Sequence, residues 1–576
     1  MKTVLRYFGN YKLKSILSPL FKLSEAAFEL IVPLVIADII DNGIPSEDSV
    51  YIQKRVLLLL LFAVTGFVCA IFAQYFAAQA AAGISSDVRR DLFNKIERLS
   101  VTDYEKLGSS GIVTSLTSDV NQIQAGINLF LRLLLRSPFI VFGAVIMALT
   151  ISVRMAMISV ICVLFLGLVV SFNMKSAIPA YKKTREGLDT LAAHAGNGLT
   201  GVRVIRGYNR TTDDYGWFKN ESDHLNLMQK KAAKISSYLN PLTFLIINLA
   251  ICLLIYRGGV NVSTGALSQG QVVALYNYMS QILVELIKLA NLIITVSRAI
   301  ACAGRVEKIL EMPDDATGGA LSFEDPSKAH SLEFCNVSFR YYGSNEDTLT
   351  DVSFAVKPGE KIGVIGKTGS GKSTIGQIAS GLYNVTSGTV LIDGNPIDEY
   401  SRKSISRAIG LCLQKALMFT GTIAYNITLG REWISDKDLD EAVSISCTDD
   451  VTASKNEGLL YEVRSNGTGL SGGQKQRIGI ARAIAGRPGL LILDDSTSAL
   501  DAGTERRFLK NLNSLSNPPT VIIVSQKIRT VKNCDRIIFI DNGRISAIGT
   551  HSELKSSSDE YREFLRLQRE EESSNE

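Results

Sequence analysis

The sequence predicts two fused folds. One is an α-helical transmembrane domain of six spans with long cytoplasmic helical extensions, and the other, after it, is an α/β domain. Three observations predict this. Long uncharged apolar stretches crowd the first half of the chain. After residue 330 short β-type runs alternate with helical segments. One of those runs leads directly into the pattern G-x-x-x-x-G-K-S.

The whole-chain figures agree with a membrane protein carrying a globular half. At ~150 residues per domain, 576 residues suggest about four structural units. Lys and Arg number 61 against 56 Asp and Glu, and the resulting +5 is too small to argue for a nucleic-acid partner. The charged fraction of 20% lies below the ~25% of ordinary globular chains. Collagen, disordered chains and disulfide scaffolds are excluded by composition. The mean hydropathy of +0.17 is high for a soluble enzyme. The eight cysteines contain no C-x-x-C pair, so they read as scattered reduced thiols rather than a zinc or redox centre.

A bilayer crossing needs ~20 mostly apolar residues. Residues 56–83 carry no charge, and 137–174 carry only Arg154, which reads as two spans joined by a very short turn. Residues 235–256 and 258–284 are uncharged. Residues 15–37 are apolar but interrupted by Lys22, Glu25 and Glu29, and they complete the predicted six. The basic N-terminus lacks a cleavable apolar core and reads as retained, with residues 3–10 lying along the interface as a short amphipathic helix. Lysine and arginine crowd 79–136 and 175–234, whereas 257–270 holds only Arg257. That bias places the two long segments and both termini in the cytoplasm, and 258–269 outside. Each long segment is expected to run out and back as helices, with tips at 100–107 and 209–215.

Composition changes after Glu311. Residues 311–330 are rich in Pro, Gly, Asp and Ser and read as a linker, which sets domains at 1–310 and 331–576. The strand-like run KIGVIG enters Gly366, Lys367, Thr368, Gly369, Ser370, Gly371, Lys372, Ser373 and Thr374. In such a loop the glycines let backbone N–H groups converge on phosphate oxygens, and the following helix adds its N-terminal dipole. Lys372 supplies a point charge and Ser373 a hydroxyl for Mg²⁺. A second apolar run ends in Asp494 and Asp495; an acid there sits beside the loop and holds Mg²⁺. Between them lies LSGGQ, with Ser471, Gly472, Gly473 and Gln474 opening a helix as another anion site.

Six spans followed by this order of motifs resemble an ATP-binding cassette (ABC) exporter half-transporter. The resemblance covers essentially the whole chain and implies ATP and Mg²⁺ as ligands of a P-loop nucleotide-binding domain. It implies that Tyr341 stacks on adenine, with its neighbour Tyr342 left open. It implies that Gln414 touches Mg²⁺ and links to the membrane half, and that the loop from Ser498 to Asp501 crosses between paired domains. In this family two nucleotide domains face head to tail, so Ser471–Gln474 would close the partner's ATP site, and the helical tips would be coupling helices.

Two positions depart from the family pattern. Asp495 stands where Glu is usual after the Mg²⁺ aspartate, and Gln526 where His is usual. Asp is one methylene shorter, and Gln cannot carry a proton or positive charge as His can. Both changes weaken the site on this chain's own loop while its LSGGQ is intact. The pattern resembles the degenerate-site subunit of heterodimeric ABC multidrug exporters, whose partner half-transporter carries the usual Glu and His. Ser465 also stands where Glu is common.

The resulting expectation is ATP-driven export of amphipathic small molecules (drugs, lipids or peptides) across the cell membrane, with the nucleotide-binding domain cytoplasmic. The alternative is a regulatory or peptide-exporting subunit that uses ATP without multidrug activity. Glu25 and Glu29 are candidate substrate-cavity residues because intramembrane charges mark function by default. Structural pairing, of Lys22 with Glu25 or of the acids with Arg132 and Arg136, is the favoured reading of these charges.

Overall fold

The structure is a computed structural model that describes residues 6–315, 319–515 and 517–574. Residues 3–5 of the interfacial segment and 316–318 of the linker lie outside the described residues. The chain divides into two compact units, Met1–Asn94 with Val113–Glu311, and Lys95–Ile112 with Met312–Glu576.

The first unit is helical. Among the described residues five helical runs are long and apolar enough to cross a membrane: Ser49–Ile96, Ser109–Ile151, Val153–Thr200, Thr211–Ser263 and Gln269–Leu310. The predicted first span forms the 27-residue helix Lys12–Asp38 but is not among the five, because Lys22, Glu25 and Glu29 interrupt its apolar run. Ser49–Ile96 and Val153–Thr200 have 48 residues each. At ~1.5 Å per residue such helices are about 70 Å long, more than twice a ~30 Å hydrocarbon core, so each extends far beyond it. Ser152 alone, in an extended conformation, separates Arg136–Ile151 from Val153–Thr200, which is the very short turn expected.

Two boundaries differ from those expected. The sequence suggested a break around 257–258, but the helix Leu239–Ser263 runs straight through Arg257 and Gly258. The next helix begins at Gln269, where Ser268 and Gln271 form a reciprocal capping box. Gly258 is a packing glycine rather than a breaker: a Cβ there would lie 2.8 Å from Val272 on that next helix. The second tip also shifts. The turn is formed by the short helix Val202–Gly207 and residues 208–210, with Asn209 at positive φ. Residues 211–215 already belong to the helix Thr211–Ser237, whose first turn carries Asp213 and Asp214 against the helix dipole.

Within this unit Lys12–Asp38 packs closely on Gln269–Leu310. Pro33 has no N–H to offer the carbonyl of Glu29 four residues back. Gln281 Nε2 donates to that carbonyl instead at 3.2 Å, and Tyr278 OH donates to Leu30 O at 2.8 Å. Asp41 accepts from Gly270 N at 2.7 Å and so caps the start of the second helix.

The second unit is α/β. A six-stranded sheet is built from β3 (Lys361–Gly366), β6 (Ile409–Cys412), β9 (Leu490–Asp494), β10 (Thr520–Val524), β11 (Arg536–Asp541) and β12 (Arg544–Gly549), in the order β12-β11-β3-β10-β9-β6. A four-stranded sheet of order β2-β1-β4-β5 is antiparallel, with β1 (Leu332–Phe339), β2 (Leu349–Val356), β4 (Ser387–Ile392) and β5 (Asn395–Pro396), and β7 (Gly421–Thr422) pairs separately with β8 (Glu462–Val463). The central strands pair in parallel and are covered on both faces. Leu490 and Ile492 of β9 enter one hydrophobic cluster while Leu491 and Leu493 enter the other. That is why these strands read as continuous apolar runs rather than alternating ones.

The tip expected at 100–107 forms the helix Val101–Leu107, with Ser100 as its N-cap, and belongs to this second unit. Tyr383 OH donates to Glu105 at 2.6 Å, and Lys106 lies over the Tyr342 ring at 5.3 Å.

Candidate nucleotide site

The parallel strands β3, β9 and β10 deliver their C-terminal ends to one place, the usual site for ligands in such sheets. β3 ends at Gly366, packed so closely that a Cβ would lie 2.0 Å from Ile540 O. The loop then turns through Gly369 (φ +82°) and Gly371 (φ +95°) into the helix Lys372–Ala379. A Cβ on Gly371 would also meet Leu349 at 2.6 Å, so both conformation and space demand glycine there.

Lys372 Nζ donates to the loop's own carbonyls, Gly366 O at 2.9 Å and Lys367 O at 2.6 Å. Burial lowers the Lys372 pKa, while the nearby Asp495 and Asp494 oppose that shift. Ser373 Oγ donates to Asp494 Oδ1 at 2.8 Å. Burial raises the Asp494 pKa; the Ser373 hydrogen bond and Lys372 work against the rise. Ser370 Oγ is buried inside the loop with no hydrogen-bond partner. A buried cation, an orphaned hydroxyl and a glycine-lined turn fit a polyphosphate. The Ser373 hydroxyl and Asp494 carboxylate are hard oxygen donors of the kind Mg²⁺ takes alongside phosphates.

Gln414 Nε2 donates to Asp495 Oδ2 at 3.3 Å, and Asp495 itself has a left-handed φ of +45°. Thr368 Oγ1 donates to Gln526 Oε1 at 3.4 Å. The structure thus brings Asp494, Asp495, Gln414 and Gln526 to the mouth of the loop. Of the two tyrosines, Tyr341 donates to Gln377 Oε1 at 2.8 Å, and its hydroxyl lies 3.1 Å from Thr374 Oγ1. Tyr342 is 63% exposed and faces Lys106 instead.

Ser471 caps the helix Gly472–Ile484 in a capping box with Gln474. Gly472 opens on free space, and a Cβ on Gly473 would meet Ala499 O at 2.9 Å, so its absence lets this helix start lie against the 498–501 loop. Asp501 caps Ala502–Asn513, accepting from Gly503 N and Thr504 N, and these bonds hold its pKa below the usual carboxylate value. Among the described residues no hydrogen bond joins Ser471–Gln474 to this chain's phosphate loop.

The sequence reading missed two side chains beside the site. Buried Glu505 accepts from Thr497 and Thr530, and Gln568 bonds the backbone at Gln526 and Ile528. Neither sits in a local motif that would reveal it.

In the helical unit Lys22, Glu25 and Glu29 of the first helix are paired. Lys22 meets Glu25 at 2.5 Å, and Arg136 meets Glu29 at 2.7 Å. Arg136 also pairs with buried Glu285, which accepts further from Ser137 Oγ at 2.8 Å and Lys288 at 2.9 Å. Arg132, the other cation expected to pair, has a buried Nε with no hydrogen-bond partner. Glu29 keeps 46% of its side chain exposed and lines a cavity of about 280 Å³ with Pro33, Asn277, Gln281 and Lys288.

Residues 15–286 match the family model of the ABC transporter transmembrane region, and residues 349–498 match that of the ABC transporter. The chain is similar to an uncharacterized ABC transporter ATP-binding protein, YfiB, of Bacillus subtilis, with 32% identity over 99% of this chain and 98% of the relative. It is also similar to a putative multidrug export ATP-binding/permease protein, YgaD, of the same organism, at 28% identity over 99% of both. The solved structure of a bacterial Atm1-family ABC exporter with ATP bound superposes with a TM-score of 0.81 at 21% identity, covering 98% of each chain, which establishes the likeness of fold.

Proposed function

Because the chain belongs to the ABC transporter family, as a half-transporter whose ATPase domain is fused to its membrane domain, we propose that it is the degenerate-site subunit of a heterodimeric exporter. It is a membrane protein that couples ATP hydrolysis to export. The observation that carries the finer reading is the pairing of Asp495 and Gln526 with an intact phosphate loop and an intact Ser471–Gln474.

On this chain's own loop, the glycine backbone, Lys372 and Ser373 bind and orient the triphosphate, and Tyr341 receives the base. Mg²⁺, when bound, neutralises developing phosphate charge. Ser373, Asp494 and Gln414 are the residues that would hold it. Asp495 is short by one methylene, so its carboxylate stands roughly 1 Å or more from the place where a general base would meet water, a displacement that costs about 10²-fold in rate. Gln526 offers hydrogen bonds without an ionisable proton. This site therefore retains ATP, and the partner's site, closed by Ser471–Gln474, turns it over.

The helix Lys12–Asp38 is proposed as the sixth crossing. Pairing of Glu29 with Arg136 and of Lys22 with Glu25 offsets the cost of its charges inside the bundle. The exported substrates are proposed to be amphipathic small molecules, in keeping with the multidrug export name of one relative.

The test compares variants in the assembled transporter. Asp495→Ala should reduce ATPase turnover by less than about twofold, because hydrolysis there is already slow. Ser471→Ala should reduce it by more than about tenfold, through loss of an anion-binding donor at the active site. The reverse pattern, or robust ATPase activity from this chain alone, would overturn the proposal.

A further inference from the structure

We propose that Glu505 and Gln568 are positioning residues of this chain's ATP site, which together hold the 525–530 segment so that Gln526 acts as a fixed hydrogen-bonding post at the phosphate loop.

The segment is gripped from two sides. Glu505, buried in the helix Ala502–Asn513, accepts from Thr530 Oγ1 at 2.7 Å and from Thr497 Oγ1 at 2.8 Å, and pairs with Arg529 at 3.3 Å. Thr497 follows Asp495 by two residues, so one carboxylate ties the loop of Asp495 to the segment of Gln526. From the other side Gln568, on the C-terminal helix Asp559–Ser574, accepts from Ile528 N at 3.0 Å and donates to Gln526 O. Its amide engages both a backbone donor and a backbone acceptor, as a neighbouring strand would. Within the segment Lys527 N donates to Ser525 Oγ at 3.0 Å.

These bonds fix the backbone from which the Gln526 side chain reaches Thr368 on the phosphate loop at 3.4 Å. An amide cannot change its protonation to suit a passing charge. Its use to bound phosphate depends on staying in place, and ordering it in advance removes that cost from binding. The C-terminal helix thereby becomes part of the nucleotide site without touching nucleotide.

This proposal rests on the reading of this site as one that retains ATP, and the experiment separates the two. The full chain, assembled with its partner half-transporter, is placed in lipid nanodiscs as wild type, Gln568→Leu, Gln568→Glu and Glu505→Gln. Amide hydrogen exchange over 525–531 and the off-rate of a fluorescent ATP analogue with Mg²⁺ are measured on each. Gln568→Leu should speed exchange of the Ile528 amide, and the analogue should leave about five- to tenfold faster, as expected for two lost hydrogen bonds. Gln568→Glu keeps the acceptor for Ile528 N and should fall between Gln568→Leu and wild type. Glu505→Gln should speed exchange at Thr530, with Thr530→Val as the alternative variant if Glu505→Gln fails to fold. Glu560→Ala on the same C-terminal helix is the control and should leave both quantities unchanged. Unchanged exchange in the Gln568 and Glu505 variants would overturn the positioning role. Faster exchange with an unchanged off-rate would reduce both residues to structural supports and overturn it equally. Rapid release from the wild type would instead refute the retention reading.

Discussion

Arg136 is the side chain on which three helices of the membrane unit converge. It pairs with Glu29 of Lys12–Asp38 and with buried Glu285 of Gln269–Leu310, while itself standing at the start of Arg136–Ile151. Truncating it leaves a buried carboxylate short of its strongest partner. Arg136→Ala should therefore destabilise the unit by about 3 kcal/mol, read as a lower unfolding temperature in detergent. Arg136→Met combined with Glu285→Met should recover much of that loss, because two apolar residues need no charge compensation. If the single and double variants unfold alike, the pair is not what holds these helices. Half of this cluster was legible beforehand. A cation near Glu29 follows from the cost of an intramembrane charge, but Glu285 lies 149 residues from Arg136 and no local spacing joins them. The candidate nucleotide site was far more legible, since its glycines, lysine and acids sit in contiguous motifs.

Among the elements, the last two helices of the membrane unit show how a lone charge misleads. Arg257 divides two uncharged stretches and reads as a break, yet the helix Leu239–Ser263 continues through it, and Gly258 spends its missing side chain on contact with the next helix. Gly258→Leu should drive a side chain into Val272 and cost about 1–3 kcal/mol, measured as a drop in unfolding temperature. Combining it with Val272→Ala should restore part of the loss, and an unaffected single variant would show that the two helices do not meet there. The start of the next helix carried its own sign in Ser268 and Gln271, a capping box with the spacing S-x-x-Q. The α/β elements were clearer, because strands buried on both faces write themselves as unbroken apolar runs.

For the molecule as a whole, orientation follows from the charges flanking the membrane helices. Single cysteines at Thr212 and Ser263, in a cysteine-free background on intact cells, provide the check. An impermeant thiol reagent should label position 263 and spare 212; the opposite pattern would invert the topology. The division into two units adds something that composition did not reveal. Residues 95–112 lie within the apolar half of the sequence, yet they group with the nucleotide half, through Tyr383 and Glu105 among other contacts. Such allegiance depends on long-range contacts, which no window of sequence contains.

Pro33 has a mechanical outcome as well. The carbonyl it leaves bare is satisfied by Gln281 of another helix, and Asp41 beyond the far end of Lys12–Asp38 caps that same partner. Sliding either helix along the other would break both bonds and leave the Glu29 carbonyl without its partner, at a cost of about 1 kcal/mol per bond. Lys12–Asp38 and Gln269–Leu310 must then travel as one rigid beam. A rearrangement that opens a path for cargo is then expected to bend where a helical ladder is interrupted, as it is for a single residue at Ser152.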